Sequence, residues 1–127
     1  MIGKAIYSIL TADANITGIV SNRVYPERAP MDVTMPFIVY TISGLDPQTT
    51  KDAHFLDVYS FVIYAASNDY DQLDTLTGYL RTALKRYRGT IGGIKIDQIN
   101  FKNLDSGFDN EANVNVIELT YELRKLE

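Results

Sequence analysis

The segment from Phe55 to Ala66 is apolar on both sides of an extended chain: Tyr59, Phe61, Ile63 and Ala65 share one face, and Val58, Ser60, Val62 and Tyr64 share the other. Small antiparallel sheets ordinarily pack one face on helices and leave the other wet. A strand with this pattern therefore calls for cover on part of its second face too, and another subunit is one way to supply it.

Around this strand the periodicity switches repeatedly between helix and sheet. Ile2, Ala5, Ile6, Ile9 and Leu10 form one helical stripe, and Asp13 can cap a second short turn carrying Ile16, Ile19 and Val20. Residues 21–35 read as a connector broken by Pro26 and Pro30, with Pro36 next. A first strand follows, Phe37 to Ile42, stopped by Gly44, and then a polar loop from Leu45 to about Ala53. After the second strand, a helix is predicted from near Asn68 to just before Gly89, striped by Tyr70, Leu73, Leu76, Leu80, Leu84 and Tyr87. Asp69, Asp71 and Asp74 sit at its start and Lys85, Arg86 and Arg88 at its end, in agreement with the helix dipole. Gly92-Gly93 opens a third strand, about Ile94 to Phe101, and the turn-rich run Asn103 to Gly107 separates it from a last strand, about Asn113 to Leu126. The expected fold is one α+β domain over residues 1–127: a four-stranded, mainly antiparallel sheet with helices on one face, in the order α-β-β-α-β-β.

Composition narrows the function. The 127 residues contain no cysteine and one histidine, His54, which removes disulfide frameworks, thiolate chemistry and any histidine pair for a metal or a proton relay. With a net charge of −4, a sequence-independent grip on nucleic-acid phosphates is not expected. Arg81, Lys85, Arg86 and Arg88 form a local basic group, which their place late in a helix already explains. No stretch approaches the ~20 apolar residues of a membrane span. The run Ala5 to Leu10 after Lys4 imitates a signal peptide only faintly and reads as mature sequence.

Constellations that could carry chemistry fail on spacing. Asp105, Asp109 and Glu111 surround Gly107, but a calcium hand wants its glycine sixth and its glutamate twelfth, between helices. Gly89, Gly92 and Gly93 lead into a strand and lack the lysine of a phosphate cradle. Asp69, Asp71 and Asp74 fit a first helical turn without acid–base work. The nine tyrosines, without a basic groove, read as core or interface. No catalytic, cofactor-binding or metal-binding residue is assigned, and no enzyme is expected.

One ordered run is distinctive. ILTADANITGIVSNRVYPERAP, starting at Ile9, precedes MPFIVYTISG, starting at Met35; later FVIYAASNDYDQLDTLTGYLRTAL, from Phe61, carries a strand into a long helix. Together these resemble the tail terminator, or tail-completion, proteins of long-tailed bacteriophages over the first two-thirds of the chain. The final strand pair agrees only in pattern, and the two polar loops carry no family signature.

The resemblance implies a structural virion protein, assembled in the host cytoplasm, that sits at the head-proximal end of the tail. It implies a homo-oligomeric ring, sixfold on the family pattern, that caps the tail tube and joins it to the head connector. DNA would pass through the ring without specific binding. Interface residues are then expected on the connector (Arg23, Tyr25, Glu27, Arg28), the first polar loop (Asp46, Gln48, Lys51, Asp52) and the second (Asp105, Phe108, Asp109). Phe108 is either folded back on the core or held out for a partner. The competing readings are another neck adaptor or head-closure component, and a cellular module binding a small molecule, which needs a pocket with convergent polar groups.

Overall fold

The computed structural model describes residues 2–49 and 55–126. Three helices and six strands follow one another as α1 (Ile2–Ala12), α2 (Ala14–Val20), β1 (Val24–Pro26), β2 (Phe37–Thr49), β3 (Phe55–Ser67), α3 (Tyr70–Leu84), β4 (Gly89–Ile91), β5 (Ile94–Asp109) and β6 (Val114–Leu126). The strands form a single sheet in the order β1-β2-β3-β6-β5-β4. All neighbours are antiparallel except β1 and β2, which run parallel.

The α+β class therefore holds, while the expected four strands become six and the order becomes α-α-β-β-β-α-β-β-β. Both additions, β1 and β4, are only three residues long and too short to show an alternation. β1 lies inside the connector expected to be loop. β4 turns into β5 through Gly92 (φ 55°) and Gly93 (φ 82°), a two-residue hairpin turn of the left-handed kind that glycine adopts without steric cost.

Two of the expected loops are strand. Gly44 does not stop β2; it marks a bulge opposite Ser60, after which pairing with β3 continues to Thr49. Asn103 to Gly107 stay paired with β6 down to Asp109, because ladder bonds outweigh the weak strand propensity of polar residues on an exposed edge. Helix α3 is shorter than expected. Asp69 caps it by accepting from the amides of Asp71 (3.0 Å) and Gln72 (3.5 Å), and Arg86, at φ 49°, turns the chain away past Lys85. Tyr70 consequently points into solvent and leaves the stripe.

All three helices cover one face of the sheet. Ile2, Ile6 and Leu10 of α1, Ile16 and Val20 of α2, and Leu73, Leu76, Leu80 and Leu84 of α3 meet Ile38, Tyr40, Phe61, Ile63, Leu119, Tyr121 and Leu123 in the main core. Phe61 stacks on Tyr121 with ring centroids 5.4 Å apart, and Phe101 meets the same tyrosine edge-on at 5.5 Å. A fully buried side chain of this size contributes about 1.5–3 kcal/mol of transfer free energy.

The second face has its own small core. Phe37, Val39, Ala66 and Val114 are buried there beneath Tyr25, Ala29, Val33 and Met35 of the connector. The surplus apolar surface of the central strands is thus covered in part by the chain itself, where the sequence had left room for a second subunit.

Candidate functional site

The connector residues divide into two kinds. Arg23 is half-buried: its Nε donates to the carbonyl of Pro36 at 2.8 Å and its guanidinium reaches the carbonyl of Ile19 at 3.4 Å, tying the end of α2 to the start of β2. Tyr25 belongs to the second core. Those two hold the fold, whereas Glu27 and Arg28 are exposed. The backbone amide of Glu27 donates to the carbonyl of Tyr40 at 2.9 Å, the last bond along this side of β2 among the described residues.

Asp46 and Gln48 stand on β2, not on a loop, and are exposed and linked at 3.4 Å. With Ser60, Glu122 and Arg124 they line a polar cleft of about 400 Å³ on the second face. Lys51 and Asp52, like His54, lie outside the described residues.

Asp105, Phe108 and Asp109 stand on β5. Asp105 accepts from the amide of Asn103 at 3.1 Å. Asp109 closes its own hairpin, accepting from the backbone amides of Glu111 (3.0 Å) and Ala112 (3.2 Å), which is a turn role and leaves that carboxylate engaged. Among the described residues, no group of acidic or histidine side chains is arranged to hold a metal ion. Phe108 is 50% exposed, so it is not folded into the core.

The three groups do not converge. β1 and the exposed connector residues flank the outer edge of β2, Asp46 and Gln48 lie toward the 49–55 end of the sheet, and Phe108 lies at the opposite edge, toward the 109–114 end. They lie on separate parts of the sheet and do not come together at one site.

Sequence reasoning missed an apolar cleft of about 650 Å³ between α1 and β2, lined by Gly3, Tyr7, Pro26, Tyr40 and Ile42. Tyr7 was the available signal: an aromatic residue off the buried stripe of its helix, with its ring 6.4 Å from that of Tyr40. Leu45 (53% exposed) and Leu104 (41%) are further large apolar residues left uncovered. In the basic group late in α3, Arg81 stacks its guanidinium 4.1 Å from the centre of the Phe101 ring.

Three tyrosines titrate above their ordinary range. Burial raises the phenol of Tyr40, with Tyr7 and Glu27 adding to it, and burial followed by Asp109 and Glu118 raises Tyr64. Burial also raises Tyr121, against a partial pull downward from Arg81. A phenol that keeps its proton more tightly when folded adds stability that is complete below the unfolded pKa of about 10 and is lost as the pH climbs through the folded value. Urea midpoints are therefore expected to fall once the pH passes about 10, in step with rising phenolate absorbance; a midpoint flat across that range would contradict the shifts.

No curated protein matches the chain. A chain in the structure titled "Virion of native gene transfer agent (GTA) particle" has the same fold, with a TM-score of 0.77 at 17% identity over 96% of this chain and 92% of that one. The family model described as "Tail completion protein gp17" matches residues 4–125. The chain belongs to the tail completion protein gp17 family.

Proposed function

We propose that copies of this chain close into a ring, sixfold on the family pattern, at the head-proximal end of the tail tube, where the ring ends tube growth and receives the head connector. The observation that carries this reading is the family match across nearly the whole chain, which makes the protein a structural component of the virion tail. Its fold likeness to a chain of a phage-like particle adds support.

The physical role is steric. A single rigid domain joined head to tail through a heterologous interface either closes or polymerises, and closure gives a ring with two different faces. One face matches the tube, and the other cannot accept a further tube ring. Asp46, Asp105, Glu118 and Glu122 project from the second face of the sheet against few basic groups, of which Lys102 and Arg124 are engaged with Glu122 and Asp97 at 3.6 and 3.8 Å. Such a surface releases few counterions from DNA, so a genome can slide past it. Glu27, Arg28 and Gln48 remain the polar contacts proposed toward the tube protein and the connector, and Lys51 and Asp52 extend that proposal along the sequence.

Deleting the gene from the phage genome tests the reading. Electron micrographs of the lysate should show filled heads separated from tails, with tubes of irregular length, and the full chain supplied in trans should restore joined particles. Normal joined tails without the chain, or labelled chain located at the capsid portal and away from the tube end, would refute it.

A further inference from the structure

Each outer edge of the sheet is half covered and half bare. β1 pairs with β2 only from Ile38 to Tyr40, and β4 pairs with β5 only from Ile94 to Ile96. From Thr41 onward on β2, and from Asp97 to Asp109 on β5, the outward backbone groups have no strand partner among the described residues. Bare edges of this length are templates for another strand. Pro47, which has no amide hydrogen, ends the run on β2 that can extend a ladder, leaving Thr41 to Asp46.

The two bare runs match in direction and in chemistry. β2, β3, β6 and β5 alternate in direction, so β5 is antiparallel to β2, and a second copy in the same orientation presents an antiparallel edge. Leu45 and Leu104 are both exposed on the helix-bearing face, where their ladder partners are Tyr59 and Leu119.

The runs are offset along the strands, and the offset has a useful size. Leu45 lies level with Tyr59, Leu123 and Ile99 across its own sheet, whereas Leu104 is level with Leu119. Leu123 and Leu119 are separated by about 13 Å at ~3.3 Å per residue, and the four long strands of one copy span about 19 Å at ~4.8 Å each. Joining Leu45 to Leu104 of the next copy therefore tilts the strands by about 35°, within the range of ~35–45° that closed barrels adopt.

We propose that neighbouring copies join edge to edge, Thr41–Asp46 of one pairing antiparallel with the bare run of β5 of the next. Leu45 then stands opposite Leu104, and Asp46 faces the amide of Asn103. The bulge between Ile42 and Gly44 brings Ser106 beside Ile42, and Phe108, two residues further along, reaches the end of β1 at Pro26, which flanks Tyr40. Phe108 is thereby seated over the apolar cleft between α1 and β2, which is lined by Gly3, Tyr7, Pro26, Tyr40 and Ile42. This rests on the ring proposed above and names the partner at that interface as a second copy of the chain.

The chain has no cysteine of its own, so an engineered pair reports the contact cleanly. Particles made with the Leu45→Cys/Leu104→Cys chain and oxidised should give a reducible ladder of multimers up to the complete ring, while either single variant should give none. Phe108→Ala, at an exposed position, should leave the melting curve unchanged and lower the yield of joined particles at least tenfold. Particles that contain the double-cysteine chain but yield no multimer would overturn the edge pairing and leave the ring standing. Unaltered assembly with Phe108→Ala would overturn the seating of that ring in the cleft. Absence of the chain from particles would overturn the ring reading itself.

Discussion

Replacing Phe61 with alanine is expected to lower the unfolding free energy by about 3–5 kcal/mol, the loss usual for a buried aromatic residue. Phe61 is fully buried, stacks on Tyr121 and lies on β3, the strand to which β2 and β6 both attach. Its removal leaves a void beneath α3 and strips Tyr121 of one of its two aromatic neighbours. Domains of this size are stable by only about 5–15 kcal/mol, so much of the total goes with one side chain. A urea titration followed by circular dichroism measures it, and a loss under about 1 kcal/mol would mean that the site collapses far more readily than close packing allows.

Phe37→Ala is expected to cost about 3 kcal/mol and to act on a different part of the molecule. Phe37 is the largest buried side chain of the second core, with its ring 6.2 Å from that of Tyr64. Without it Ala29, Val33 and Met35 lose the surface they pack on. The connector should loosen before the rest unfolds, so trypsin should cut after Arg28 at least tenfold faster under conditions where the main core is still intact. Equal protease resistance in the two proteins would show that the connector is held by its backbone bonds alone.

The legible parts of the fold were those with long, clean periods. The stripes of α1 and α3 and the alternation of β3 and β6 each repeat a face several times, and burial of that face is the strongest term in folding. The illegible parts follow from the same physics. β1 and β4 repeat nothing, and Gly44 and Asn103–Gly107 carry residues that favour turns when no ladder holds them. Both stretches are held by their ladder to the next strand of the chain, and local propensity carries no record of that pairing.

The candidate site was legible in part. Phe108 stood out as an aromatic residue in a polar context, and its exposure fits a residue held for a partner. Arg23 and Tyr25 are less exposed than a proline-stiffened connector suggests: Tyr25 packs in the second core, and Arg23 bonds to the carbonyls of Pro36 and Ile19. The cleft beside Tyr7 could not be read locally, since its walls come from α1, β1 and β2.

The bulges between Ile42 and Gly44, Ile96 and Gln98, and Phe101 and Asn103 all fall on or beside the bare halves of the sheet edges. A straight strand can add to any other straight strand, and a crowded cytoplasm offers many. A kinked and more strongly twisted edge admits only a counterpart bent in phase with it. Two of these irregularities, at Gly44 and Asn103, fall where the sequence reads as loop or strand end, and all three disfavour indiscriminate edge pairing of a concentrated, unassembled chain.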